Sequence, residues 1–152
     1  VSEVSKDWEV HVDAGACRGA DPRAIERAVH LALETAAGPK APSTAEISVA
    51  LVDDVSIAVL NERFLERRGT TDVLAFSLGD AIDVVGDIYV GFEQASRQAA
   101  ELGISLAEEL MRLAIHGTLH VLGHDHPEDD GREESAMFAL QERLVRRAMQ
   151  AG

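Results

Sequence analysis

With a single cysteine, Cys17, the chain can close no internal disulfide, and nothing points to an oxidising compartment. Cys17 reads instead as a small, partly buried side chain. There is no run of about 18 apolar residues and no basic segment followed by an apolar stretch, so neither a membrane span nor a secretory signal is expected. Aromatic residues make up 4%, too few for a recognition surface built on stacked rings. Cations are scarce as well. Fourteen Lys and Arg against 27 Asp and Glu leave a formal net charge of -13, which argues against a general binder of nucleic acid. The charge is unevenly spread: Arg63, Arg67 and Arg68 form a basic group, while Asp125, Glu128, Asp129, Asp130, Glu133 and Glu134 gather the acids. These absences lead to the expectation of a soluble, cytoplasmic protein without membrane contact. The first residue is Val1 rather than methionine, as expected of a trimmed terminus.

What is present suffices for one folded unit. A length of 152 residues with 46% hydrophobic content predicts a single domain, 1–152, with its own core. Trp8 to Val12 alternates apolar and polar residues and predicts a half-buried strand, with His11 on the solvent side and without a ligand role. Asp21-Pro22 opens a helix, Asp as cap and Pro at the first helical position, and Ile25, Val29, Ala32, Leu33 and Ala36 give it one apolar stripe up to Gly38-Pro39. His30 falls at the boundary of that stripe. After a loop at Lys40 to Thr44, a strand is predicted over Glu46 to Val52. A helix capped by Asp53 or Asp54 follows, with Ile57, Leu60 and Phe64 on its apolar side. A basic turn, Glu66 to Thr71, precedes two strands at Asp72 to Phe76 and Gly86 to Val90, whose connection (Ser77 to Val85) is too long for a tight hairpin. Phe92 to Leu102 forms a short helix ending at Gly103. Ser105 and Glu108 make a capping box for a further helix, Leu106 to Leu122, on the order of 25 Å long. A last helix, from near Gly131 to Ala148, buries Met137, Leu140, Leu144 and Val145. The order implies an α/β (α+β) fold, a small mixed sheet of about four strands packed by about five helices.

The chemistry concentrates in eleven residues, His116-Gly-Thr-Leu-His-Val-Leu-Gly-His-Asp-His126. His116 and His120 stand four apart, so on a helix both rings leave one face. The second half of that helix, Leu113 to Leu122, is otherwise nearly all apolar and reads as buried all round. Gly123 can take the left-handed conformation that ends a helix, after which the chain can deliver His126 as a third ligand. Buried imidazoles each need a partner, and one metal ion satisfies three together. Three neutral imidazoles and an open position suit catalytic zinc, which lowers the pKa of bound water to about 7. Nickel and iron suit the same ligand set. His124 is an alternative ligand, and Asp125 is either a partner or base for the site or a residue that fixes the turn.

The spacing matches the zinc motif of the metzincin peptidases, His-Glu-x-x-His-x-x-Gly-x-x-His, with one difference: Gly117 stands where those enzymes carry their general base. A peptidase mechanism has lost its proton acceptor.

The stretch resembles the signature of the YbeY family of bacterial endoribonucleases that mature ribosomal RNA. Leu60-Asn61, Thr71-Asp72-Val73-Leu74-x-Phe76, Gly86-Asp87-Ile88 and the acids Glu128-Asp129-Asp130 match in the same order, covering most of the chain after about residue 45. The resemblance implies one zinc ion on His116, His120 and His126 and a compact sheet-and-helix domain distantly like zinc peptidases, hence zincin-like. It also implies hydrolysis of phosphodiester bonds in single-stranded RNA, at the 3′ end of 16S ribosomal RNA, and a part in ribosome quality control. Its partners would be ribosomal RNA, the small ribosomal subunit and other ribosome-assembly factors. Many members carry an arginine four residues past the asparagine; here that residue is Leu65, and Arg63, Arg67 and Arg68 are the candidates to replace it, with Arg67 and Arg68 taken as catalytic alongside Asp125. Two other readings stay open: a zinc hydrolase of a peptide or amide, which Gly117 disfavours, and a ribosome-assembly factor whose metal is mainly structural, which Leu65 favours.

Overall fold

The computed structural model describes residues 7–36, 41–124 and 131–150. Nine elements follow one another: β1 (Asp7–Asp13), α1 (Pro22–Ala36), β2 (Thr44–Val52), α2 (Asp54–Leu65), β3 (Val73–Ser77), β4 (Asp83–Gly91), α3 (Phe92–Leu102), α4 (Leu106–Val121) and α5 (Gly131–Gln150). Local chemistry explains several of the helix boundaries. The Asp21 carboxylate accepts from the backbone of Arg23 and Ala24, and Asp53 accepts from Ser56 at 2.8 Å, so each caps its helix. Gly103 ends α3 at φ 68, and Gly123 follows α4 at φ 94, both in the left-handed region.

The sheet is mixed, in the order β1-β2-β4-β3. β1 and β2 run parallel, as do β2 and β4, while β3 pairs antiparallel with β4. Parallel neighbours need a crossover, and α1 supplies the first. The β3–β4 connection is tighter than expected. β4 already begins at Asp83, and Asp80 closes the 78–82 loop by accepting from Ile82 and Asp83 at 2.9 and 2.8 Å.

Alternation along the strands sends Val10, Ile47, Val49, Leu51, Val84, Ile88 and Val90 to one face, where they pack with Ile25, Val29 and Leu33 of α1 and Leu110, Leu113, Ala114 and Val121 of α4. The other side of α4 (Met111, Ile115, Leu119) meets α1 and Met137, Leu144 and Val145 of α5. The helix is therefore enclosed between sheet and helices, as its composition predicted. Truncating Ile115 or Leu119, both fully buried, to alanine would cost about 2–5 kcal/mol.

Two glycines set how closely α4 lies on β4. A Cβ on Gly86 would stand 2.6 Å from Val121 Cγ1, and one on Gly117 would stand 2.7 Å from Ile88 Cγ2. Phe64 departs from its expected apolar role: it is 56% exposed, on the surface of α2, in edge-to-face contact with Phe76. Among the described residues, no helix is long and apolar enough to cross a membrane.

Candidate functional site

α4 carries His116 and His120 on its one polar stripe, one turn apart, as the spacing requires. Their Nε2 atoms face each other at 3.0 Å, with ring planes inclined by 70°. Two imidazole nitrogens at that separation need something shared between them, a proton or a cation. Ligands at about 2.0–2.1 Å from one tetrahedral ion stand roughly 3.3 Å apart, so the pair is already close to a chelating geometry. The donor set therefore fits a divalent ion. His116 is braced from the far side of its ring: Nδ1 lies 2.6 Å from Oε1 of Gln141, a buried residue of α5. A second nitrogen fixed by a hydrogen bond is the usual companion of a ligating imidazole.

His126 and Asp125, the other expected members, lie outside the described residues, as do the acids at 128–130. His124 is half-buried, and its backbone N–H returns to Leu119 C=O at 2.9 Å, turning the chain after α4. Gly117 points into the packing against Ile88 rather than into open space, so a longer side chain there has no room.

Gln141 was not singled out in the sequence. The signal was available: it falls among Met137, Leu144, Val145 and Ala148, so a polar amide sits on a buried stripe. It belongs to a larger network. Its Nε2 donates to Glu142, which accepts Nε and Nη2 of Arg112, both at 2.9 Å. Arg112 also reaches Glu109 and Glu108 at 3.0 and 2.9 Å, and the buried Glu109 accepts from Gln98 at 2.7 Å. The Arg112 guanidinium holds the Glu142 carboxyl below its ordinary range, against the opposing effect of burial, and Glu142 and its neighbours push Arg112 up. Glu108 thus spends its carboxylate on Arg112. The expected capping box is half present: Ser105 Oγ accepts from the Glu108 backbone at 3.1 Å, and the glutamate side chain turns away to Arg112.

Arg67 and Arg68 are exposed on the turn after α2. That turn is built by Asn61, whose Nδ2 donates to Gly69 C=O at 3.1 Å and whose own carbonyl accepts from Arg67 N–H at 3.3 Å. Glu66 closes the helix in the left-handed region at φ 54. Among the described residues, no hydrogen bond or ion pair joins Arg67 or Arg68 to His116 or His120. Leu65 is 43% exposed beside them.

A second group lies on the open face of the sheet. Glu9 and Glu46 are register partners on β1 and β2, and with His11 they bring one ligand atom each within 4.8 Å of one another, so this group could also hold a metal ion. His11 is exposed, as its place in the alternation predicted, and it stands in this group beside Glu9 and Glu46.

A four-stranded mixed sheet backed by an enclosed helix with two facing histidines defines an α/β domain with a histidine-pair site on its central helix. Residues 16–149 match the family described as endoribonuclease YbeY, and the chain belongs to that family. It is 40% identical over 135 residues to an endoribonuclease YbeY of Geobacillus thermodenitrificans (81% of this chain, 85% of the relative). It is 47% identical over 113 residues to one of Synechococcus sp. (68% and 67%), and 42% identical over 113 residues to one of Mycobacterium tuberculosis (66% and 63%). The solution structure of TM1509 from Thermotoga maritima superposes with a TM-score of 0.66 at 28% identity, covering 93% of this chain and 90% of that one.

Proposed function

We propose that this chain is a metal-dependent endoribonuclease that cuts single-stranded RNA in the cytoplasm, at the 3′ end of 16S ribosomal RNA, and serves ribosome quality control. Its partners are then ribosomal RNA, the small ribosomal subunit and other assembly factors. One observation carries the reading: His116 and His120 present facing Nε2 atoms at 3.0 Å from a helix that is otherwise enclosed. Family membership supports the choice of RNA as substrate.

His116, His120 and His126 would hold one zinc ion per chain. When bound there, zinc supplies Lewis acidity toward a phosphoryl oxygen. Exposed Arg67 and Arg68 would neutralise charge that develops on the phosphate. Asp125 is the acid nearest His126 in sequence and the candidate to accept a proton. A peptide substrate is disfavoured by Gly117, because Ile88 occupies the space a glutamate side chain would need. The reading of a ribosome-assembly factor with a structural metal draws on Leu65, an exposed apolar residue where many relatives carry arginine.

The test uses a single-stranded RNA spanning the 16S 3′ precursor junction, with and without chelator. Cleavage that stops on chelation and returns with Zn²⁺, while far-ultraviolet circular dichroism stays constant, is the expected result. Cleavage that ignores the chelator would contradict the proposal, and unfolding on chelation would favour the structural metal.

A further inference from the structure

The orientation of the Gln141 amide follows from its neighbours. The oxygen and nitrogen of a glutamine amide exchange places by a half-turn, so only the partners can say which is which. Glu142 accepts two N–H groups of Arg112, at 2.9 Å each, and as a carboxylate it has no hydrogen to give. The amide group that faces Glu142 at 3.1 Å must therefore be the N–H₂. Oε1 is left to face His116 Nδ1 at 2.6 Å. A carbonyl oxygen only accepts, so Nδ1 of His116 carries the proton. The lone pair of the neutral ring then sits on Nε2, the atom that faces His120.

Upstream, Arg112 leaves little freedom. Its N–H groups are divided among Glu108, Glu109 and Glu142, and the Glu109 side chain is only 4% exposed and tied to Gln98. The polarity is thus fixed from the buried end of the network outward.

We propose that Gln141 is a positioning residue, oriented by the Arg112–Glu142 pair, that fixes the tautomer of His116 and so presents its Nε2 lone pair for metal binding. The proposal rests on the reading of His116 as a ligand. It accounts for a buried amide on the apolar stripe of α5 and for an ion network placed beside the histidine pair. In this role, Gln141 and Glu142 act on the metal through His116 and touch neither metal nor substrate.

The test is nitrogen-15 NMR of the histidine rings in the metal-free full chain, at a pH where the rings are neutral, together with Zn²⁺ affinity by chelator competition. Wild type should show His116 as the Nδ1–H tautomer. Gln141→Met keeps the shape and removes the acceptor; a mixture of tautomers and a fall in Zn²⁺ affinity of about 10–100-fold are expected. Glu142→Gln, which lets the Gln141 amide turn over, should give a partial mixture and covers the case in which a change at Gln141 disturbs folding. A pure Nδ1–H tautomer and undiminished affinity in Gln141→Met would overturn the proposal. A wild-type protein that takes up no Zn²⁺ would instead overturn the metal reading, while the tautomer ratio would still decide the role of Gln141.

Discussion

Gly117 of α4 lies against Ile88 of β4 so closely that a single added methyl group would stand 2.7 Å from Ile88 Cγ2. Ile88 is 1% exposed, and its Cγ2 is fixed to a branched carbon, so it cannot swing aside. The glycine that breaks the peptidase motif is thus a packing requirement of this fold. In an α-helix, glycine to alanine would ordinarily gain about 1 kcal/mol. Overpacking costs about 1–3 kcal/mol and should win here.

Gly117→Ala is therefore expected to lower the urea midpoint. Ile88→Ala in the same chain should recover part of that loss, so the double variant is less destabilised than the sum of the two single ones. Strict additivity would show that the two residues do not compete for the same space.

The pH dependence of stability should carry the mark of Glu142. Its folded pKa is depressed below the ordinary value of 4.5, chiefly by its hydrogen bonds from Arg112. The unfolded chain then binds the proton more readily than the folded one. The stabilisation is fully present above 4.5 and is lost as pH falls through the lower, folded value. Urea titrations of wild type and Glu142→Gln should differ by a constant amount near neutral pH and converge as the pH drops below 4.5. A gap that widens in acid would have the wrong sign for this account.

Arg67→Ala and Arg68→Ala should weaken RNA cleavage while changing stability by less than about 0.5 kcal/mol, since both side chains are exposed. Asn61→Ala should do both kinds of harm. It removes the bond to Gly69 that holds the arginine turn and leaves a buried site short of a polar partner, costing about 1–3 kcal/mol in thermal or urea unfolding. Unchanged cleavage in the two arginine variants would take them out of the site.

Much of the molecule could be read from the sequence because the signals were local. Asp21, Asp53 and Ser105 cap their helices from within three residues, and the alternation in β2 sorts Ile47, Val49 and Leu51 to the core. The histidine pair is likewise a matter of helical spacing. What escaped depends on contacts distant in sequence. The order β1-β2-β4-β3 is a set of pairings that periodicity does not encode. Gln141 meets His116 across 25 residues of chain, and Arg112 meets Glu142 across 30. The diversion of Glu108 from its capping box shows the same effect: a local rule yields when a half-buried arginine offers a stronger partner.

If His116 and His120 hold a metal on which RNA cleavage depends, His120→Ala removes both. Bound Zn²⁺, circular dichroism and cleavage of a single-stranded 16S 3′-precursor RNA are measured on the same preparation. A folded protein that has lost its metal and its cleavage together is the expected result. A His120→Ala protein that keeps its metal and cuts at the wild-type rate would contradict it.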